Sequence, residues 1–344
     1  MRRGAAVVTL VLASAVLVGC TSTAAPKTTQ QPAAAVPDYV STYVPPEPTQ
    51  LAPLRGTTVP AGSVQRPSLA AKIDNHEEAR PQVGLERTDI VFEELVEGGL
   101  TRYVAVWQSD VPDLIGPVRS IRPMDPDIIT PLGGLVAYSG GQEMFVDMMM
   151  ATPVQNLVFD YDDTGLFYRY DAHDSPHDVI LHATDAVSRN ASIAPPVQQY
   201  AYASGVDTAT ATLDGTPTSN IAVTFSSSRF PNFTWDAATG SWLRNQEGAP
   251  DLDANGAQLR ATNVVTMRVD IDGRYGYVPK TVMIGSGTAT VSTGGRTVAA
   301  TWSKADAASP IRFVDANGTA IRLAPGNTWI ELVPNGEGSV TITP

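Results

Sequence analysis

Ile90-Val91-Phe92-Glu93-Glu94-Leu95-Val96-Glu97-Gly98-Gly99-Leu100-Thr101-Arg102-Tyr103-Val104-Ala105-Val106-Trp107 is the stretch on which the fold turns. Ile90 through Val96 reads as a strand with apolar residues on both faces. Gly98-Gly99 supplies a turn, and Arg102 to Trp107 returns as the antiparallel partner. Side chains alternate along a strand, so Glu93, Leu95 and Glu97 share one face. If Glu97 and Arg102 flank the turn they are cross-strand partners, and Glu93 lies deeper on the same face, beside Val104 and Val106.

Outward from this hairpin, residues 66–205 mix strand and helix signals. Leu69-Ala70-Ala71-Lys72-Ile73 reads as a buried strand running into the polar turn Asp74-Asn75-His76, and Leu135 to Tyr138 as another strand. Gln142 to Met150 has a helical pattern, with Met144, Phe145, Met148 and Met149 forming a core-facing stripe. Thr184 is placed to cap a second helix. From residue 206 to 344 the character changes. Short alternating runs (Ile221–Phe225, Val264–Val269, Tyr275–Met283, Thr288–Val291, Thr297–Trp302) are separated by Asp-Gly, Asn-Gly and Gly-Gly pairs, the last of them Asn335-Gly336. That spacing predicts a mostly-β module. The expected class is therefore α+β: a mixed α/β domain over 66–205 followed by a mostly-β domain over 206–344.

The N-terminus carries an address. Met1-Arg2-Arg3 precedes an apolar run from Ala5 to Val18, too short to span a bilayer, which needs about 20 residues. The pattern is that of a signal peptide over residues 1–19. Leu17-Val18-Gly19-Cys20 looks like a bacterial lipobox, and Cys20 is the one cysteine of the chain, so no disulfide or catalytic thiol is expected in the body. Cys20 is the expected lipidation point, a palmitate-type acylation that holds the protein at the cell membrane on its extracytoplasmic face. Residues 20–60 read as a disordered tether: Thr21 to Pro60 holds eight prolines and four charged residues, with no periodic apolar face. As a flexible coil it spans roughly 35 Å.

The 344 residues include 23 basic and 35 acidic side chains, a formal charge of −12. Such a balance argues against nucleic acid as a partner, since that needs a concentrated basic surface. The apolar fraction of 43% is ample for real cores. No phosphate-cradling glycine loop or nucleophile elbow occurs, and no cofactor is expected.

The densest polar constellation joins Asp74, Asn75 and Arg80, candidates for ligand binding, to Glu93, Glu97, Arg102, Arg119, Arg122 and His177, candidates for a cleft or a catalytic centre. A carboxylate among apolar neighbours retains its proton, as a general acid requires. A structural ion-pair network bracing the hairpin accounts for the same residues, and arginines in an acidic chain need either carboxylate partners or an anionic ligand. Three of the four histidines, His173, His177 and His182, fall close together. Pro176 breaks the helix that would align them, so no metal set is expected there. Asp251-Leu252-Asp253-Ala254-Asn255-Gly256 starts like a calcium loop, but Thr262 stands where the closing acid belongs, and a β-turn is the better reading.

Taken in order, Asn75-His76, Ala79-Arg80-Pro81-Gln82, Val91-Phe92-Glu93, Val96-Glu97-Gly98-Gly99, Thr101-Arg102, Gly116-Pro117-Val118-Arg119-Ser120 with Arg122, and Ser175-Pro176-His177 resemble the YerB-like bacterial lipoproteins. In the second half, Trp235-Asp236, Trp242, Arg244, Asn263-Val264, Thr301-Trp302-Ser303-Lys304 and Gly326-Asn327-Thr328-Trp329 continue the resemblance. It implies two domains of unknown function on a lipid anchor. One departure is Asp178, where the family tends to carry an amide after Pro-His. Two functions follow: a non-catalytic envelope protein that binds a cell-wall component or partner through the Glu/Arg/His cleft, and a wall glycan or peptide hydrolase or lyase using Glu93 or Glu97 as general acid/base.

Overall fold

The first half of the chain contributes strands β1 (Leu69–Asp74), β2 (Ile90–Leu95), β3 (Thr101–Trp107), β4 (Leu135–Tyr138) and β5 (Gln155–Val158). The second contributes β6 (Asn220–Thr224), β7 (Asn232–Asp236), β8 (Ser241–Gln246), β9 (Asn263–Val269), β10 (Gly285–Thr293), β11 (Arg296–Lys304), β12 (Thr328–Pro334) and β13 (Ser339–Thr343). These come from a computed structural model that describes residues 40–344. The signal peptide, Cys20 and the tether as far as residue 39 lie outside the described residues.

An eleven-stranded sheet organises the molecule, with β11-β10-β9-β12-β2-β3-β1-β4-β5 in that order, a short Thr216–Pro217 strand at one edge, and Arg312–Val314 beside β11. The hairpin lies at its centre because its strands are apolar on both sides. β12, buried along its whole length, runs parallel to β2 on one flank and to β9 on the other. The two halves of the sequence are thus joined edge to edge by backbone hydrogen bonds, and Glu47–Pro344 form one compact unit. The class is α+β, mixed in the first half and mostly β in the second.

One face of the sheet (Ile90, Phe92, Val104, Val106, Ile330, Leu332) is covered by helices α1 (Asp125–Ile129) and α2 (Glu143–Met150). In α2, Phe145, Val146 and Met149 turn inward while Met144 and Met150 face solvent. The other face (Val91, Tyr103, Ala105, Trp107, Trp329) packs on a six-stranded sheet whose main path runs β8-β7-β6-β13, through Ile221, Val223, Phe233 and Trp242. Helix α3 (Ala183–Arg189) begins one residue before Thr184, whose hydroxyl reaches Asp113 at 3.3 Å instead of capping the helix. At the β10–β11 hairpin, Thr293 pairs with Arg296 across Gly294-Gly295, both at positive φ (61° and 71°), as a two-residue turn requires.

Besides Met144, which faces solvent, and Thr184, which caps nothing, two larger expectations need correction. The tether stops short of residue 60: Thr49–Leu51 pairs with Thr58–Pro60, Leu54 enters the core, and Arg55 Nε lies 3.0 Å from Asp89. Prolines suit such a short edge hairpin, and the buried leucine outweighs the loss of chain freedom. The central hairpin also has a wider turn than Gly98-Gly99 alone. Val96 to Leu100 lies off the ladder, Gly98 and Gly99 take φ of 69° and 72°, and Arg102 stands opposite Glu94, three residues from Glu97. An odd slip exchanges the faces. Glu93 therefore sits beside Tyr103 and Thr101, while Val104 and Val106 lie on the helix-covered side.

Candidate functional site

β1 ends by splitting its polar residues between two environments. Asp74 points toward arginines and a histidine. Its Oδ2 accepts from Arg119 Nε at 2.9 Å and lies 2.7 Å from His177 Nδ1. Asn75 points the other way, donating to Glu93 Oε1 at 3.2 Å and to Thr101 at 2.8 Å. Arg80 holds this corner: its Nε donates to the Asn75 amide oxygen at 3.0 Å, and another nitrogen meets Glu247 at 2.7 Å. Burial raises the Asp74 carboxyl, but Arg102, Arg119 and the His177 bond outweigh it and keep it below the ordinary aspartate range.

The segment from Pro117 to Arg122 takes over the edge of β1 where its pairing with β4 stops. Asp74 N–H donates to Pro117 O at 2.9 Å, Arg119 N–H to Lys72 O at 2.8 Å, and Ile121 N–H to Gly140 O at 3.0 Å. This ladder sets the arginines. Arg122 Nε donates to Glu97 Oε2 at 2.8 Å, and Arg102 donates to the Ser120 carbonyl at 3.0 Å. Arg102, Arg122, Glu97, Ser120, Gln142 and Tyr277 border a cleft of about 520 Å³.

The charges around the cleft do not balance locally. Asp74 answers Arg119 and Glu97 answers Arg122, whereas no described carboxylate pairs directly with Arg102. Arg102 is 9% exposed, and burial, reinforced by the nearby Arg122 and Arg119 charges, lowers its pKa to about 10. The Glu97 carboxyl is raised by burial, but the Arg122 hydrogen bond and charge bring it below its usual range.

Glu93 is not part of this cleft, which corrects the expectation that placed it there. It is fully buried between the two sheets, where its Oε1 accepts from Thr101 at 2.6 Å and its Oε2 from Arg244 at 2.6 Å. Arg244 also pairs with Asp251, and its guanidinium carbon lies 5.4, 5.9 and 4.8 Å from the rings of Tyr103, Phe233 and Trp329. Glu331, beside Glu93 on β12, keeps its proton far above the glutamate range because of burial first and the Glu93 charge second. A carboxylate sealed in this way cannot hand a proton to an external substrate. On the other side of the sheet, Lys72 pairs with Glu94 and, at 2.8 Å, with Asp125.

Of the expected residues, Glu97, Arg102 and Arg122 border the cleft, Asp74, Arg119 and His177 form a neighbouring bonded cluster at the end of β1, Asn75 and Arg80 make the corner beside it, and Glu93 is removed. The structure separates the clustered histidines: His182 packs on Tyr168 and His173 on Tyr170, with centroids 5.0 and 6.0 Å apart. Asp178 takes two contacts from Arg169, at 2.7 and 2.9 Å. The Asp251–Gly256 segment is a turn whose Asp253 accepts the Leu85 N–H at 2.7 Å. Sequence reasoning missed His76 and Glu78. They meet His177 in a group whose ligand atoms lie within 4.8 Å of one another, the group among the described residues best suited to hold a metal. The His-x-Glu spacing beside Asp74-Asn75 was the available signal. Gln142 and Tyr277 had none, because tertiary packing alone brings them to the cleft.

Residues 54–195 match "Protein of unknown function (DUF3048) N-terminal domain" and residues 221–330 match "Protein of unknown function (DUF3048) C-terminal domain". A Bacillus subtilis (strain 168) protein named "Putative lipoprotein YerB" is 26% identical over 303 residues, 83% of this chain and 86% of that protein. The crystal structure of YerB protein from Bacillus subtilis superposes with a TM-score of 0.74 at 22% identity, covering 85% of this chain and 99% of the other, so the fold is shared. With both matches in order along one continuous sheet, the chain belongs to the DUF3048 family.

Proposed function

We propose that this protein is a lipid-anchored, extracytoplasmic binding protein that holds an anionic group of a cell-envelope component, a carboxylate or a phosphate, in the Arg102–Arg122 cleft. The observation that carries this reading is the buried guanidinium of Arg102, which lines an open cleft and has no carboxylate of its own. Arg102 feels Asp74 and Glu97 only through space, and a buried cation with no contact partner is costly, so an anion arriving from solvent supplies the direct contact it lacks. Arg122 presents a second guanidinium at the same mouth. A hydrolase reading has less support. Glu93 is sealed, and Glu97 is held as a carboxylate by Arg122, the reverse of what an acid that protonates a leaving group needs.

Arg102→Met separates a ligand site from a structural one. Removing one charge-assisted contact is worth about 1.5–3 kcal/mol, roughly 10–150-fold in affinity. Binding to purified cell-wall sacculi should fall by that factor while the melting temperature stays level or rises. A lower melting temperature with binding intact would make Arg102 a structural cation and end the proposal. Sacculi stripped of phosphate polymers, run in parallel, tell wall-peptide carboxylates from phosphates.

The anchor rests on the lipobox and on the name of the Bacillus relative. Cys20→Ala is expected to move the protein from the membrane pellet to the medium or to leave the precursor uncut. Normal processing with unchanged membrane retention would refute lipidation.

A further inference from the structure

We infer that His76, Glu78 and His177 form a binding site for a divalent transition metal of the zinc type. The site is separate from the Arg102 cleft and does not rest on the function proposed above.

Local structure builds it. His76 stands at the start of the 3-10 turn Glu77–Ala79, and its Nδ1 accepts the backbone N–H of Glu78 at 3.2 Å. That bond places the imidazole and the Glu78 carboxylate side by side. His177 arrives from the loop before the Val179–His182 strand, and its ring stacks on His76 with centroids 4.5 Å apart and planes 20° apart. The Nε2 of His177 lies 3.3 Å from Glu78 Oε2, and Nδ1 of His76 lies 3.9 Å from the same oxygen.

The hydrogen bonds assign the lone pairs. Asp74 accepts from His177 Nδ1, so the Nε2 lone pair of that ring faces the site, as in the carboxylate–histidine–metal arrangement. The Nδ1 of His76 accepts the Glu78 N–H in the free protein, so that bond has to open and the ring has to turn for its lone pair to reach a metal, which the 31% exposure of the side chain allows. Glu78 supplies the third donor. Ligands about 2.0–2.1 Å from a tetrahedral zinc stand roughly 3.3 Å apart, so metal binding needs the stacked rings, whose planes are 20° apart, to tilt toward a common point and Glu78 to make a small inward swing. Glu78 can make it, because its side chain is 67% exposed. Two imidazoles and one carboxylate suit zinc, cobalt or nickel better than calcium or magnesium, which prefer oxygen shells. Three protein ligands leave one position open for water or an anionic oxygen.

The test uses the full chain in detergent with Cys20→Ala, which removes the only thiol that would compete for metal. Titration with cobalt chloride at pH 7.5 should give visible d–d bands that saturate at one equivalent, and zinc should displace the cobalt and raise the melting temperature. His76→Ala should abolish the bands, and Glu78→Gln should weaken binding at least tenfold. A His173→Ala/His182→Ala pair should change neither. Both His76 and Glu78 reach solvent, so these variants are expected to melt normally. Failure of the Cys20→Ala protein to take up cobalt or zinc, or uptake that survives both His76→Ala and Glu78→Gln, would overturn the proposal. In the first case the triad is a hydrogen-bonded cluster without a metal, and in the second the metal sits elsewhere.

Discussion

Arg244→Met is expected to lower the unfolding free energy by about 3–5 kcal/mol, the usual penalty for removing one partner of a buried ion pair. Arg244 is fully buried between the two sheets and is the cation for both Glu93 and Asp251. Its loss leaves two carboxylates facing Tyr103, Phe233 and Trp329 in a space closed to solvent. Since a whole domain is stable by only about 5–15 kcal/mol, the variant should sit near the edge of folding. Urea unfolding measures this directly. Adding Glu93→Gln to Arg244→Met should recover part of the loss, because the amide still accepts from Thr101 without carrying charge. A single variant that unfolds within about 1 kcal/mol of the native chain would show that water reaches the cluster.

Lys72→Met is the second large effect, and it depends on pH. Lys72 is a single cation between two fully buried carboxylates, Glu94 and Asp125. Burial, with the Asp125 charge behind it and Lys72 opposing, pushes the Glu94 carboxyl up to about 8. The sign follows from proton linkage. Unfolded glutamate has lost its proton above about pH 4.3, while the folded protein keeps it to near pH 8, so the folded state binds the extra proton in that window. The stability from this group is complete below the unfolded value and is lost as pH rises toward 8, at up to about 1.4 kcal/mol per pH unit. Glu94→Gln should flatten that slope. Lys72→Met should cost about 3 kcal/mol at pH 6 and more at pH 9, where the Glu94 carboxyl must ionise without its cation. Equal losses at the two pH values would show that Glu94 is already ionised at pH 6.

The positive residues at the cleft and the cations in the core look alike in the sequence. Arg102, Arg119, Arg122 and Arg244 each stand in a short polar motif, and nothing in their neighbours separates the cleft arginine from the buried one. Residue types were therefore readable, while depth was not. The same holds for the carboxylates. Glu93 and Glu94 are adjacent, and alternation sends one toward the second sheet and the other toward α1. Which goes where depends on the hairpin register, and the register depends on a turn that runs from Val96 to Leu100. Pairing Glu97 with Arg102 across the turn was three residues out of register and put Glu93 on the wrong face.

By itself the sequence determined the central hairpin, most strands of both halves, α2 and the α+β class, because period-two patterning and glycine turns are local signals. Tertiary structure alone decided the rest. It laid β12 between β2 and β9 and so merged the two halves in one sheet, drew Leu54 of the tether into the core, closed Arg244 over Glu93, and brought His177 against His76 and Glu78. Each of these is a contact between segments far apart in the chain. No local pattern encodes such contacts; they form because parallel strand pairing and the burial of apolar faces stabilise only the assembled whole.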